Sequence, residues 1–94
     1  SQAENQEIGR PMVKVIFFAS IREDLGLNET EVALDGPSTV ADLVKLLVEC
    51  HGAKWSEALS RENTLVAVNQ TMVDDQHTIH AGDEVAFFPP VTGG

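Results

Sequence analysis

A nearly continuous apolar run begins at Met12, where MVKVIFFA collects β-branched and aromatic residues around Lys14, its one charge. This composition predicts a strand central to its sheet. Ser20 is the expected cap of a short helix over Ile21 to Leu25, with Glu23 and Asp24 near its positive N-terminal end and Gly26 as left-handed terminator. Glu29 to Asp35 alternates weakly between Asn28 and Gly36-Pro37, which predicts a second strand hairpinned to the first. The period then changes. Val40, Leu43, Val44 and Leu47 fall at helical spacing, and Thr39 with Asp42 three residues on forms a capping-box start. Gly52 ends that helix. Trp55, Ala58 and Leu59 predict one further helical turn. Leu65 to Asn69 reads as a short apolar strand and Met72-Val73 as a brief return strand after Gln70-Thr71. Ala81-Gly82-Asp83 marks a turn, Glu84 to Phe88 is the last strand, and Pro89-Pro90 stop it because proline has no amide hydrogen for the ladder.

Strand, strand, long helix, strand, short strand, strand is an α+β order. A right-handed crossover through the helix sets the first and last strands side by side in the middle of a mixed sheet. The expected fold is therefore a β-grasp (ubiquitin-like) domain, a mixed sheet of four to five strands with one main helix packed on one face. The two candidate central strands are the most apolar segments of the chain, as burial on both sides requires. Three regions result: a flexible N-terminal tail over residues 1–11, with only Ile8 to bury; the β-grasp domain over 12–90; and a flexible C-terminal tail over 91–94.

Composition narrows the function. With 94 residues the chain holds one domain, and a domain of this size buries only about 60–65% of its unfolded surface, leaving little room for a deep catalytic cleft. Fifteen acidic against six basic residues give a formal charge of -9. Nucleic acid and anionic membranes are therefore excluded as partners, and a basic protein surface is the expected complement. One cysteine, Cys50, cannot close an internal disulfide, which points to a reducing, cytoplasmic location. The longest apolar run, Val15 to Ala19, is far short of the roughly 20 residues a membrane helix needs.

Three constellations could carry chemistry, and each has a plainer reading. His77 and His80 could share a metal on a helix, but they lie between turn signals and lack a clear third ligand, so no metal is expected. Cys50 beside His51 suggests a nucleophile and base, yet adjacent helical side chains point apart. Cys50 is better read as a small core or half-buried residue. Asp74-Asp75 and Asp83-Glu84 are best read as solvated turn caps. No phosphate-cradling glycine loop and no nucleophile elbow is present.

The end VTGG is different. Two terminal glycines arise by chance in about 0.5% of chains at an average glycine usage of about 7%. Without Cβ atoms, Gly93 and Gly94 can thread a narrow channel in another protein. A terminal carboxylate, with a reference pKa of about 3.3–3.7, is ionised at neutral pH and must be activated before it reacts.

The stretch Leu65-Val66-Ala67-Val68-Asn69-Gln70 and the run Gly82-Asp83-Glu84-Val85-Ala86-Phe87-Phe88-Pro89-Pro90-Val91-Thr92-Gly93-Gly94 closely resemble the C-terminal third of the molybdopterin synthase small subunits, the MoaD family of sulfur carriers. Val15 to Ala19 with Ile21-Arg22-Glu23 resembles that family's first strand and following helix. The resemblance implies a subunit without catalytic side chains of its own. An E1-like adenylating enzyme would use ATP to activate Gly94, a sulfurtransferase would complete its conversion to a thiocarboxylate, and the sulfur would go to the pyranopterin precursor of molybdenum cofactor. It implies no stably bound cofactor and no phosphopantetheine arm, a large synthase subunit as partner, and an assembly of two small and two large subunits. Gly94 and Gly93 would carry the chemistry, with Phe88, Pro90, Val91 and Thr92 contacting the partner and Phe87 turned inward by strand alternation. Two other readings use the same end: a ubiquitin-like modifier conjugated through Gly94 to a lysine, and a thiamine-pathway sulfur carrier.

Overall fold

The computed structural model describes residues 11–60 and 64–90, and the features below are those of these residues. In chain order the elements are β1 (Met12–Phe17), α1 (Ala19–Leu25), β2 (Glu29–Ala33), β3 (Ser38–Thr39), α2 (Val40–His51), α3 (Ala53–Leu59), β4 (Leu65–Val68), β5 (Thr71–Val73), β6 (Thr78–Ile79) and β7 (Glu84–Phe88). Five strands form one mixed sheet in the order β2-β1-β7-β4-β5, and β3 pairs with β6 separately. The apolar strands β1 and β7 are its central, parallel pair, in register from Lys14↔Glu84 to Phe17↔Phe87. This is the β-grasp arrangement expected from the element order.

Alternation along β1 and β7 divides their residues between two faces. Val13, Val15, Phe17, Val85 and Phe87 are buried on the side that receives the helices, together with Val66 and Val68 of β4. Val40, Leu43 and Leu47 of α2 complete this core. The capping box at the start of α2 is formed as expected: Thr39 Oγ1 accepts from the Asp42 amide at 3.1 Å, and Asp42 Oδ2 accepts from the Thr39 amide at 3.2 Å. Trp55 of α3 packs its ring edge-on to Phe17, with centroids 5.3 Å apart.

Local chemistry departs from expectation in three places. Ser20 does not cap α1. The helix starts at Ala19, whose φ of +51° makes the reversal out of β1, and Phe18 is the N-cap residue, its carbonyl accepting from the Ile21 and Arg22 amides. Glu23 and Asp24 consequently lie beyond the first turn. Cys50 is exposed, not half-buried. The chain turns at Gly52 and brings Trp55 beneath the last turn of α2, where the His51 ring stacks on it at 3.8 Å and Cys50 is left facing solvent. The β3–β6 pair is the third departure, joining Ser38↔Ile79 and Thr39↔Thr78 between segments distant in sequence and burying Ile79 completely.

Candidate functional site

The face of the sheet turned away from the helices is built by the other parity of each strand. The registers align Leu65 with Phe88, then Met72, Ala67, Ala86, Ile16 and Glu29 in one cross-strand row, then Glu84, Lys14 and Glu31 in the next. Phe18 stands where β1 ends and stacks on Phe88, with centroids 5.2 Å apart and planes 9° from parallel. Its position is fixed from both sides: its amide donates to the Phe87 carbonyl at 3.1 Å and its carbonyl begins α1. Phe18 is 41% and Met72 55% exposed, two of the three large apolar residues left open to solvent among the described residues.

Phe88 projects onto this face while Phe87 is buried against Phe17, at a centroid distance of 6.2 Å, as the strand alternation requires. Pro90 is exposed. Val91, Thr92, Gly93 and Gly94 lie outside the described residues. Phe18, Ile16 and Met72 were not among the expected site residues. The parity of Lys14, Ile16 and Phe18 was visible in β1, but only the pairing of β1 with β7 and of β4 with β5 sets them beside Phe88.

At the opposite end of the same face the turns are tied to β7. Asn69 donates from its side chain to Asp83 Oδ1 at 3.0 Å and accepts from the Glu84 amide at 3.0 Å. Asp83 Oδ2 accepts from the His80 amide at 2.8 Å. The Asn69 side-chain bond, and secondarily the His80 amide, hold the Asp83 carboxyl below its ordinary pKa. The acidic turns therefore act as fasteners: Asp74 Oδ1 likewise closes its own turn by accepting from the Gln76 amide at 2.9 Å. His77 and His80 flank the two-residue β6 instead of sharing a helix face, and no group of three His, Cys, Asp or Glu among the described residues is placed to hold a metal ion. The helix side of the sheet carries an open groove of about 810 Å³ between α2 and β4–β5, floored by Val44, Val48, Val66 and Val73. Among the described residues no helix is long and apolar enough to cross a membrane.

The ThiS family model matches residues 15–94. The chain belongs to the ThiS family. Within it, the molybdopterin synthase sulfur carrier subunit of Escherichia coli is 48% identical over 83 residues, covering 88% of this chain and all of that one. The likeness to molybdopterin synthase small subunits drawn from the C-terminal residues is thereby borne out. Small archaeal modifier protein 1 of Haloferax volcanii is 35% identical, covering 83% of this chain and 95% of that one. A crystal structure of SAMP1 from the same organism superposes with a TM-score of 0.71 at 30% identity, covering 88% and 99% of the two chains. A complex of subunits 1 and 2 of the molybdopterin-converting factor from Helicobacter pylori contains a chain that superposes with a TM-score of 0.63 at 26% identity, covering 88% and 99%.

Proposed function

We propose that this chain is the sulfur carrier subunit of a molybdopterin synthase, with Gly94 as the carrier residue. The observation that carries the reading is the 48% identity to a molybdopterin synthase sulfur carrier subunit over that protein's whole length. The Phe18–Phe88 stack supports it from the structure, since an aromatic platform three residues before Val91 is suited to seat a partner around the residues that follow.

In this reading the carboxylate of Gly94 attacks the α-phosphate of ATP on an E1-like adenylating enzyme, releasing pyrophosphate and leaving an acyl-adenylate. The outer sulfur of a persulfide on a sulfurtransferase displaces AMP to give an acyl disulfide, and a second thiol cleaves the S–S bond of that adduct, leaving the Gly94 thiocarboxylate and a disulfide. Gly93 and Gly94, lacking side chains, then enter the large synthase subunit, where sulfur passes to the pyranopterin precursor and water at the acyl carbon restores the Gly94 carboxylate. Two carriers serve each dithiolene, in keeping with two small and two large subunits. The carrier supplies no general acid or base. Phe88, Pro90, Val91 and Thr92 contact the partner, joined by Phe18, Ile16 and Met72 from the same face. The Helicobacter pylori complex of subunits 1 and 2 supports a large-subunit partner of this kind. ATP is used by the activating enzyme and is not retained here, and an unpaired, exposed Cys50 suits a reducing cytoplasm.

The test is intact mass spectrometry of the chain after incubation with its adenylating enzyme, ATP and a sulfur source. Replacement of one oxygen by sulfur, localised to Gly94, is expected. The similarity to small archaeal modifier protein 1 favours one second reading, a protein modifier joined to target lysines. Lysine-linked conjugates without a thiocarboxylate would replace the first reading with that one.

A further inference from the structure

The outward face of the sheet is divided along the strands. Its upper part, next to the end of β7, is apolar: Phe18, Phe88, Leu65, Ile16 and Met72 surround the small residues Ala67 and Ala86. Its lower part is acidic: Glu31 and Glu84 flank Lys14 on either side in one row, and Glu29 closes the row above. The Lys14 ammonium lies 3.6 Å from the Glu29 carboxylate, and the register sets Glu31 and Glu84 on the strands to either side of it. Phe88 and Glu84 are four residues apart on one strand, which separates the two zones by roughly 13 Å at about 3.3 Å per residue. An apolar face of uniform character can be docked in several rotations; one with an acidic end cannot.

We infer that Glu29, Glu31 and Glu84 form an orienting band that meets basic side chains on the large synthase subunit and selects the one rotation in which the end of β7 points at the partner's channel. The inference rests on the carrier reading above and names the chemistry of that partner's surface. Two features of the face support it. The band is continuous with the apolar zone, so a partner covering one reaches the other. Among the described residues the carboxylates also outnumber the one cation that the register places among them, so the surface retains negative charge after the Lys14–Glu29 pair. A basic counterpart would accelerate encounter and disfavour misrotated complexes, with a steep dependence on salt. The competing explanation is that these charges merely stabilise the sheet through cross-strand pairs.

The experiment is association kinetics of the full chain with the purified large subunit over a range of salt concentrations. The unaltered chain is compared with Glu31→Gln/Glu84→Gln and with Glu49→Gln/Glu57→Gln. The second pair removes the same charge from exposed positions on α2 and α3, against the other face. At low salt the first pair is expected to slow association roughly threefold to tenfold and to flatten the salt dependence, and the second to leave both nearly unchanged. Lys14→Gln removes the cation from the band and is expected to speed association. Equal slowing by both double variants would mean that net charge alone steers encounter and would overturn the inference. A lowered melting temperature in Glu31→Gln/Glu84→Gln with an unaltered association rate would reduce the band to a structural role. Absence of binding by the unaltered chain would overturn the carrier reading itself, and the inference with it.

Discussion

Phe87 and Phe88 are adjacent in sequence and opposite in role. Phe87 is buried against Phe17 in the core, so Phe87→Ala is expected to cost about 3–5 kcal/mol of folding stability in chemical denaturation. Phe88 stacks on the exposed Phe18 instead. Phe88→Ala should lose only about 1 kcal/mol of stability with the aromatic pair, yet weaken large-subunit binding by about 2 kcal/mol, some thirtyfold, in calorimetric titration. A core role for both phenylalanines would give two large stability losses and no separate effect on binding. Asp83 tests the acid limb of stability. Its folded pKa is lowered by Asn69 and His80, so its contribution is present above the unfolded value of about 3.9 and is lost as pH falls through the folded value. Asp83→Asn should therefore lower the melting temperature at neutral pH and flatten its decline below about pH 4. Thermal melts of both proteins between neutral and strongly acid pH make the comparison.

The two turns that most constrain the sheet differ in legibility. The start of α2 is written locally, because a hydroxyl and a carboxylate three residues apart can satisfy two helix-end amides without outside help. Thr39→Ala should cost about 0.5–2 kcal/mol in denaturant unfolding, with Leu43 and Leu47 still packed. The β4–β5 connection is less evident. Asn69 and Gln70 both take positive φ, 51° and 71°, as a two-residue hairpin requires, although the sequence lacks the asparagine-glycine pair that usually marks one. Gln70 adopts the left-handed region without glycine's freedom. Gln70→Gly should accordingly stabilise the chain by about 1 kcal/mol, seen as a higher melting temperature; an unchanged or lower value would mean the turn is not under strain. Ser20 departs from expectation for a related reason. A hydroxyl before an apolar pair resembles a cap, but Ala19 makes the turn and the Phe18 carbonyl opens the helix.

At the scale of the molecule the net charge of -9 acts on everything at once. Like charges oppose compaction, so raising ionic strength from about 0.01 to 0.15 M, which shortens the Debye length from about 30 to 8 Å, should raise the melting temperature while slowing association with a basic partner. Opposite signs in the two measurements are the expected signature. Faster association at higher salt would mean that charge opposes docking.

The sequence by itself determined the main elements and the central pair of strands. Apolar period distinguishes a strand from a helix, β1 and β7 are the segments apolar enough for burial, and the Gly82 to Gly94 run carries the family likeness. It also determined that Phe87 and Phe88 face opposite ways, because strand parity is a local property. Only the tertiary structure decided what those parities meet. Lys14, Ile16 and Phe18 become one face with Glu84, Ala86 and Phe88 through a parallel register between segments 70 residues apart, and no periodicity encodes a register between distant strands. The β3–β6 pair, the placement of Met72 opposite Ala67 and the exposure of Cys50 have the same origin. Each follows from how the whole core closes, and the free energy that fixes it is spread over contacts no single segment contains.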